Sequence, residues 1–197
     1  MQGFLLFIIV VAAILVFWFV GAYNGLISLK NQTYNALKQI DVQLKRRHDL
    51  IPNLVQAVQG AMQFEKETLQ AVIEARNQAI KVAAGSDPQN VAKMAAAEGQ
   101  LTGALGKLLA VVEAYPDLKA TGNIGQLQEE LTSTENKIGF ARQLYNDTST
   151  QYNTRQQQFP TSLVAGIAHA LPAQLWEISD EAERAVPKVD LSMKPKA

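Results

Sequence analysis

The densest group of ionisable side chains lies at residues 41–49, with the sequence DVQLKRRHD. Its three consecutive cations could bind an anionic ligand or partner. The same side chains could instead pair with one another and with a neighbouring helix, since a charge buried at a helix interface requires a partner. The spacing favours this structural role, because Arg47 or His48 falls on the apolar seam between Leu44 and Ile51.

Local pairing within this group is predicted from helical spacing. Asp41 and Lys45 are four residues apart, and Arg46 and Asp49 are three apart, so each pair would lie on one side of a helix. A later helix offers further charges for a network that would fix the register of two helices. The candidate network, which is also the candidate site for a partner or an anionic ligand, consists of Asp41, Lys45, Arg46, Arg47, His48, Asp49, Glu130, Glu135 and Arg142.

Motifs of common enzyme classes do not occur in the sequence. His48 and His169 lie in different predicted elements, without an HExxH, a GxSxG or a phosphate-binding glycine-rich loop. The absence of cysteine excludes disulfides, thiolate zinc sites and a cysteine nucleophile. We therefore expect no catalytic residue, no metal and no cofactor, and a hydrolase using Asp or Glu is the least favoured alternative. With 18 basic and 18 acidic residues and no long like-charge run, we expect no nucleic-acid partner.

The element that carries residues 41–49 is predicted to begin as a membrane anchor. Residues 3–20, GFLLFIIVVAAILVFWFV, contain no charged side chain, and the first charge is Lys30. At about 1.5 Å per residue this stretch spans about 27 Å, close to the hydrocarbon core of a bilayer. A cleaved signal peptide is the alternative, but it would need a positive n-region and a shorter apolar stretch. Lys30 and Lys38 favour a cytoplasmic side for the following domain, and the opposite side stays open.

Beyond the anchor, apolar residues recur every three or four positions, which predicts an all-α fold of long antiparallel helices. A first helix is predicted through Leu37–Ile80, continuous with the anchor and kinked or broken at Pro52. A second helix spans residues 91–115, with a heptad seam that only Glu98 interrupts. A third helix reaches about Gln158.

This pattern predicts three parts of the chain. An N-terminal transmembrane anchor occupies residues 1–24, and an elongated antiparallel bundle occupies residues 25–186. The bundle ends in a short helix at residues 163–170 and an extended stretch, because prolines follow. Residues 187–197 form an extended or disordered tail, since they combine two prolines with Lys, Asp and Ser.

Several longer strings resemble those of the LemA family of bacterial membrane proteins. The most specific is QIDVQLKRRH, within a matching stretch at residues 34–55. The other matching strings are AYPDLKA at 114–120, LQEELTSTENKI at 127–138, YND at 145–147, FP at 159–160 and PKVD at 187–190. The resemblance implies an N-terminal anchor in the bacterial cytoplasmic membrane and a bundle of elongated helices. It implies no activity, since the family has no agreed biochemical function. Where the family often has aromatic or Gly-Phe residues after FP, this chain has GIAH at 166–169.

We therefore expect a single-pass protein that acts as a scaffold or adaptor in a lipid bilayer. It would form a homo-oligomer or bind another membrane protein, with Gly99, Gly103 and Gly106 permitting close packing of helices. Each of these glycines weakens its helix by about 1 kcal/mol relative to alanine, so a packing role would explain them. The alternative is a membrane-tethered sensor, in which residues 45–49 bind an anion and Pro52 transmits a change to the anchor.

Overall fold

The computed structural model describes residues 1–61, 66–115 and 122–177, and its regular secondary structure is helical throughout those ranges. The predicted all-α class is confirmed, with a long apolar helix at the N-terminus. The helices are α1 (Gln2–Ala61), α2 (Lys66–Ala83), α3 (Val91–Ala114), α4 (Gly122–Gln157) and α5 (Thr161–Ile167).

Helix α1 runs without a break from the apolar N-terminus through Pro52. A proline inside a helix costs about 3 kcal/mol, because it removes an amide donor and crowds the preceding turn. On either side of it, Ile51 and Leu54 are fully buried, and burying two such side chains contributes about 1.5–3 kcal/mol each. Packing therefore offsets the cost, and of the two predicted effects of Pro52 the break is wrong.

The predicted helix Leu37–Ile80 is in fact two antiparallel helices, α1 and α2. Arg76 of α2 donates from Nε to the His48 carbonyl at 2.7 Å, and Val82 packs against the apolar cluster around Leu44. The chain direction therefore reverses between Ala61 and Lys66. The apolar spacing did not predict this reversal, because its period is the same in α1 and in α2.

Four helices form an up-down-up-down bundle, in which α1 packs chiefly on α4 and α2 chiefly on α3. The apolar seams of all four helices meet in one core cluster, which lies towards the end of the bundle that is farther from residues 3–20. The predicted seam of α3 is confirmed along the helix, whereas Tyr115 just beyond it is exposed rather than buried. The buried seam residues of α3 are Val91, Met94, Glu98, Leu101, Leu105, Leu108 and Val112.

The α3 glycines do not support close packing within this chain. A Cβ atom placed on Gly99, Gly103 or Gly106 would meet no other atom within 4 Å. Gly103 and Gly106 are exposed, because the α3 seam faces the opposite side of the helix. Close helix approach at these positions is therefore not observed among the described residues of one chain, and approach of a helix from another copy stays a prediction.

After α5, residues 170–177 run without regular secondary structure along the bundle, and we call this segment the strap. The predicted short helix at 163–170 is observed at Thr161–Ile167, so it begins two residues and ends three residues earlier than predicted. Asn153 donates from Nδ2 to the Ala173 carbonyl and accepts the Ala173 N–H, both at 2.8 Å. Asn146 donates to the Trp176 carbonyl at 3.0 Å and accepts the Trp176 N–H at 2.8 Å. The predicted tail at 187–197 lies outside the described residues.

Tyr145 makes the stability of this attachment depend on alkaline pH. Its hydroxyl donates to the Gln174 carbonyl at 2.7 Å, and burial raises the pKa of Tyr145 from 10.0 to about 12. The fold favours the neutral phenol, so this contribution is complete below pH 10.0 and is lost as pH rises through about 12. We expect the urea midpoint of the wild-type chain to fall more between these pH values than that of Tyr145→Phe. Equal slopes for the two chains would contradict this assignment.

Candidate functional site

Three helices bring oppositely charged side chains together inside the bundle. Arg47 and His48 from α1 are 3% and 4% exposed, and Glu98 from α3 is 1% exposed. His48 Nε2 lies 2.8 Å from Glu98 Oε1. Because a carboxylate oxygen accepts, we assign the imidazole proton to Nε2. The prediction that Arg47 or His48 occupies the seam is confirmed for both residues.

The Arg47 guanidinium has partners on two other helices. Its Nη2 donates to Thr102 Oγ1 at 2.7 Å. Its Nη1 lies 3.4 Å from Glu98 Oε2 and 3.3 Å from Glu135 Oε2. Thr102 in turn donates to the Glu98 carbonyl at 3.0 Å. These contacts satisfy charges that would be costly to bury alone, and they fix α1, α3 and α4 relative to one another.

A chain of weaker contacts extends from this buried cluster to the strap. Glu135 Oε1 lies 4.0 Å from Nη1 of Arg142, about two turns later on α4. The Arg142 guanidinium carbon lies 4.9 Å from the centre of the Trp176 ring, a cation–π distance. The predicted participation of Glu135 and Arg142 in a network with α1 is thus confirmed, and the network also reaches the strap.

The exposed members of the predicted group pair differently from the expectation. Asp41 contacts Lys38 at 2.9 Å, rather than Lys45, and accepts from the Ser86 hydroxyl at 2.6 Å. Lys45 pairs with Asp49 at 2.6 Å, which replaces the predicted pair of Asp49 with Arg46. The hydrogen bond from Lys45 lowers the pKa of Asp49. Spacings of three and four residues are compatible with several of these pairs, so spacing alone does not select the observed ones.

Glu130 takes no part in the buried cluster. It lines a separate shallow groove between α1 and α4, beside Leu50 and Asn53. Arg46 is exposed on the outer side of α1. The predicted group therefore divides into a buried network, an exposed set on the α1 flank, and Glu130 apart from both.

Two members of the buried network, Glu98 and Thr102, were missing from the predicted site. The signal for Glu98 was present in the sequence, because it is the one charged residue in an otherwise apolar heptad seam. A carboxylate at such a position requires a buried cation, and Arg47 lies at the matching position of α1. Thr102, four residues later, gives no comparable signal.

The contacts of this arrangement join α1, α3 and α4. Arg47 and His48 both have Glu98 as a buried partner, so a dissolved anion would meet the exposed cations on the α1 flank first. Within residues 1–61, 66–115 and 122–177, no group of three His, Cys, Asp or Glu side chains is placed to hold a metal ion.

One flank of the bundle, between α1 and α4, carries large apolar side chains among polar ones. Phe140 and Leu144 of α4 and Val42 of α1 are large, exposed hydrophobic side chains. They line an open groove between the two helices, which we call the flank groove. Apolar surface grouped in this way is typical of protein or membrane contact sites.

Comparison with known proteins gives a consistent result. A model of the LemA family matches residues 36–191. The chain is 30% identical over 164 residues to a protein named LemA from Metamycoplasma hominis, covering 82% of this chain and 72% of that protein. It is 22% identical over 165 residues to magnetosome protein MamQ 2 of Paramagnetospirillum magneticum, covering 74% of this chain and 61% of that protein. The chain thus spans about three fifths of the length of that magnetosome relative.

Proposed function

Because this chain belongs to the LemA family and begins with a helix long and apolar enough to cross a bilayer, we propose that it is a membrane-anchored, non-enzymatic scaffold or adaptor. The observation that carries this proposal is the buried network of Arg47, His48 and Glu98. Arg47, His48 and Glu98 are at most 4% exposed and hold helices together, which leaves these three side chains unavailable to a substrate.

The flank groove supports a role in protein contacts. Phe140 and Val42 lie on the solvent side of α4 and α1, where an isolated bundle gains nothing from large apolar side chains. Covering them with a second protein surface would remove apolar area from water at about 25 cal/mol per Å². We propose that a second copy of the chain covers this groove, and that the resulting oligomer is the scaffold.

A sensor that binds an anion at residues 45–49 is the weaker proposal. Of the basic side chains in that range, Arg47 and His48 are buried and paired, while Lys45 already pairs with Asp49. Arg46 is the remaining basic side chain of that range and is exposed. An anion could contact Arg46, but it would have to compete with a carboxylate for Lys45 and break the buried network to reach Arg47.

Light scattering of the full-length chain in mild detergent, corrected for bound detergent, tests the proposed assembly. We expect a defined oligomer for the wild type and a shift towards monomer for Phe140→Glu, since a buried unpaired carboxylate is costly at an apolar interface. Thr132→Glu, which adds the same charge at an exposed position two turns away on α4, should leave the mass unchanged. A wild-type monomer at micromolar concentration that also retains no partner protein would overturn the proposal.

A further inference from the structure

Helix α5 packs against α1 immediately beyond the apolar anchor. Leu26 of α1 is 1% exposed and shares a core cluster with Tyr152 of α4, Ala165 of α5 and Ala173 of the strap. At about 1.5 Å per residue, Leu26 lies about 9 Å along the helix from Val20, the end of the strongly apolar run. The headgroup layer beyond the hydrocarbon core is itself about 5–7 Å thick on each side. Helix α4 runs antiparallel to α1, so its end at Gln157 lies about 7.5 Å closer to the anchor than Tyr152. The beginning of α5 therefore lies within this headgroup layer.

The outer side of α5 and its flanks is apolar. Phe159, Leu163, Ile167 and Leu171 are 81%, 60%, 67% and 64% exposed, and we call these four residues the α5 face. On its inner side, α5 buries Thr161, Val164 and Ala165. A helix that is apolar on both sides is not a typical water-facing element, since surface helices normally carry polar residues on the outer side.

Charge is absent from the same part of the chain. Between Arg155 and Glu177 the sequence contains no Asp, Glu, Lys or Arg, and His169 is its one titratable side chain. On α1 the first charge is Lys30. The two segments that meet beside Leu26 thus both lack the charged side chains that cover the outer sides of α1 and α4 farther from the anchor.

We propose that the α5 face binds the surface of the same bilayer that α1 enters, with its four side chains inserted at the boundary of headgroups and acyl chains. The bilayer is the chosen occupant because the face is continuous with the membrane-spanning helix and lies at headgroup level. Insertion of large apolar side chains at this depth is typical of interfacial helices. A second copy of the chain is the competing occupant, which the experiment below distinguishes.

Site-directed spin labelling tests this placement in the full-length chain. The sequence has no cysteine, so a single introduced cysteine reports one position. We would label Leu163→Cys and Ile167→Cys separately, reconstitute each chain in phosphatidylcholine–phosphatidylglycerol vesicles, and measure collisions with oxygen and with a water-soluble nickel chelate. We expect the nickel accessibility at both positions to be roughly tenfold lower than at a water-exposed control, with high oxygen accessibility, because the polar chelate is excluded from lipid.

Thr132→Cys, at an exposed position of α4, is the water-exposed control, and Phe140→Cys tests an apolar surface far from the anchor. Phe140 is also a large exposed apolar residue, but it shares the flank groove with Val42, which lies about 33 Å along α1 from Val20. High nickel accessibility at Leu163 and Ile167, equal to that of a fully solvated label, would overturn the proposal. If another copy covers the flank groove, neither reagent would reach the label at Phe140→Cys. A label buried in lipid would remain accessible to oxygen.

Two further readings separate the possible outcomes. Dipolar broadening between α5 labels that disappears on dilution with unlabelled chain, together with low oxygen accessibility, would assign the α5 face to a second copy and overturn membrane binding. Each labelled chain is checked for an unchanged unfolding midpoint, and the Ile167 variant carries the test if the Leu163 variant unfolds. The result is independent of oligomer mass, so its failure is distinguishable from failure of the scaffold proposal.

Discussion

Replacing Glu98 by alanine is expected to lower the free energy of unfolding by about 3–5 kcal/mol, because it leaves a buried guanidinium and a buried imidazole without their carboxylate. Arg47 would retain the Thr102 hydroxyl and the partly exposed Glu135, and His48 would lose its side-chain partner across the bundle. Urea denaturation followed by far-ultraviolet circular dichroism in detergent micelles would measure the change.

Two controls separate a buried pair from charge in general. Lys45→Ala removes one partner of an exposed ion pair with Asp49 and is expected to leave the urea midpoint almost unchanged, since solvent screens such pairs. The combined variant Arg47→Met, Glu98→Leu removes both charges and fills their volume, and it should recover part of the lost stability, since His48 still lacks its partner. If Glu98→Ala cost no more than Lys45→Ala, the network would not be the structural element described above.

Replacing both Asn146 and Asn153 by alanine is expected to release the strap from α4. The double variant deletes the four hydrogen bonds that hold Ala173 and Trp176, each worth about 1 kcal/mol net, so local opening becomes easier by about 4 kcal/mol, close to a thousandfold. Hydrogen exchange of the two strap amides in the folded chain measures this directly. We expect their exchange to accelerate while exchange in the seam of α3 stays slow.

The geometry explains why these two asparagines act as a pair. They are seven residues apart on α4, or about 10.5 Å at 1.5 Å per residue. Ala173 and Trp176 are three residues apart in the strap, a separation that an extended chain covers in about 10 Å. Asn136→Ala, an exposed asparagine earlier on α4, is the matched control and should leave strap exchange unchanged. Gln89 and Ala92, around the start of α3, also donate to Pro172 and Gln174 of the strap. Unchanged protection in the double variant would mean that these bonds, the Tyr145 hydroxyl and the burial of Trp176 suffice to hold the strap.

Sequence patterns predicted the apolar framework and the buried network apart from Glu98 and Thr102. Period and heptad spacing identified the seams, because burial of one face is the main force that selects a helix. The same spacing placed Arg47 and His48 at buried positions. It also isolated Glu98 as the one charge in the α3 seam, although the connection between these residues became visible only in the fold.

Other features depend on contacts between residues far apart in the sequence. The reversal between α1 and α2 leaves the apolar period unchanged, so no local pattern separates one long helix from two. The hydrogen bonds of Asn146 and Asn153 to the strap require two elements of different geometry to lie side by side. The exposed pairs of Asp41 and Asp49 were predicted with the wrong partners, since several cations lie within reach of each carboxylate.

The uninterrupted course of α1 sets the height at which the bundle can act. A single helix carries both the apolar anchor and the full length of the bundle, without a flexible hinge between them. Ala61 therefore stands up to roughly 60 Å from Val20 along the helix axis. With the anchor in a bilayer, as proposed, a partner that meets the far end of the bundle must itself project by about that distance, and a partner held close to the membrane meets only the lower part.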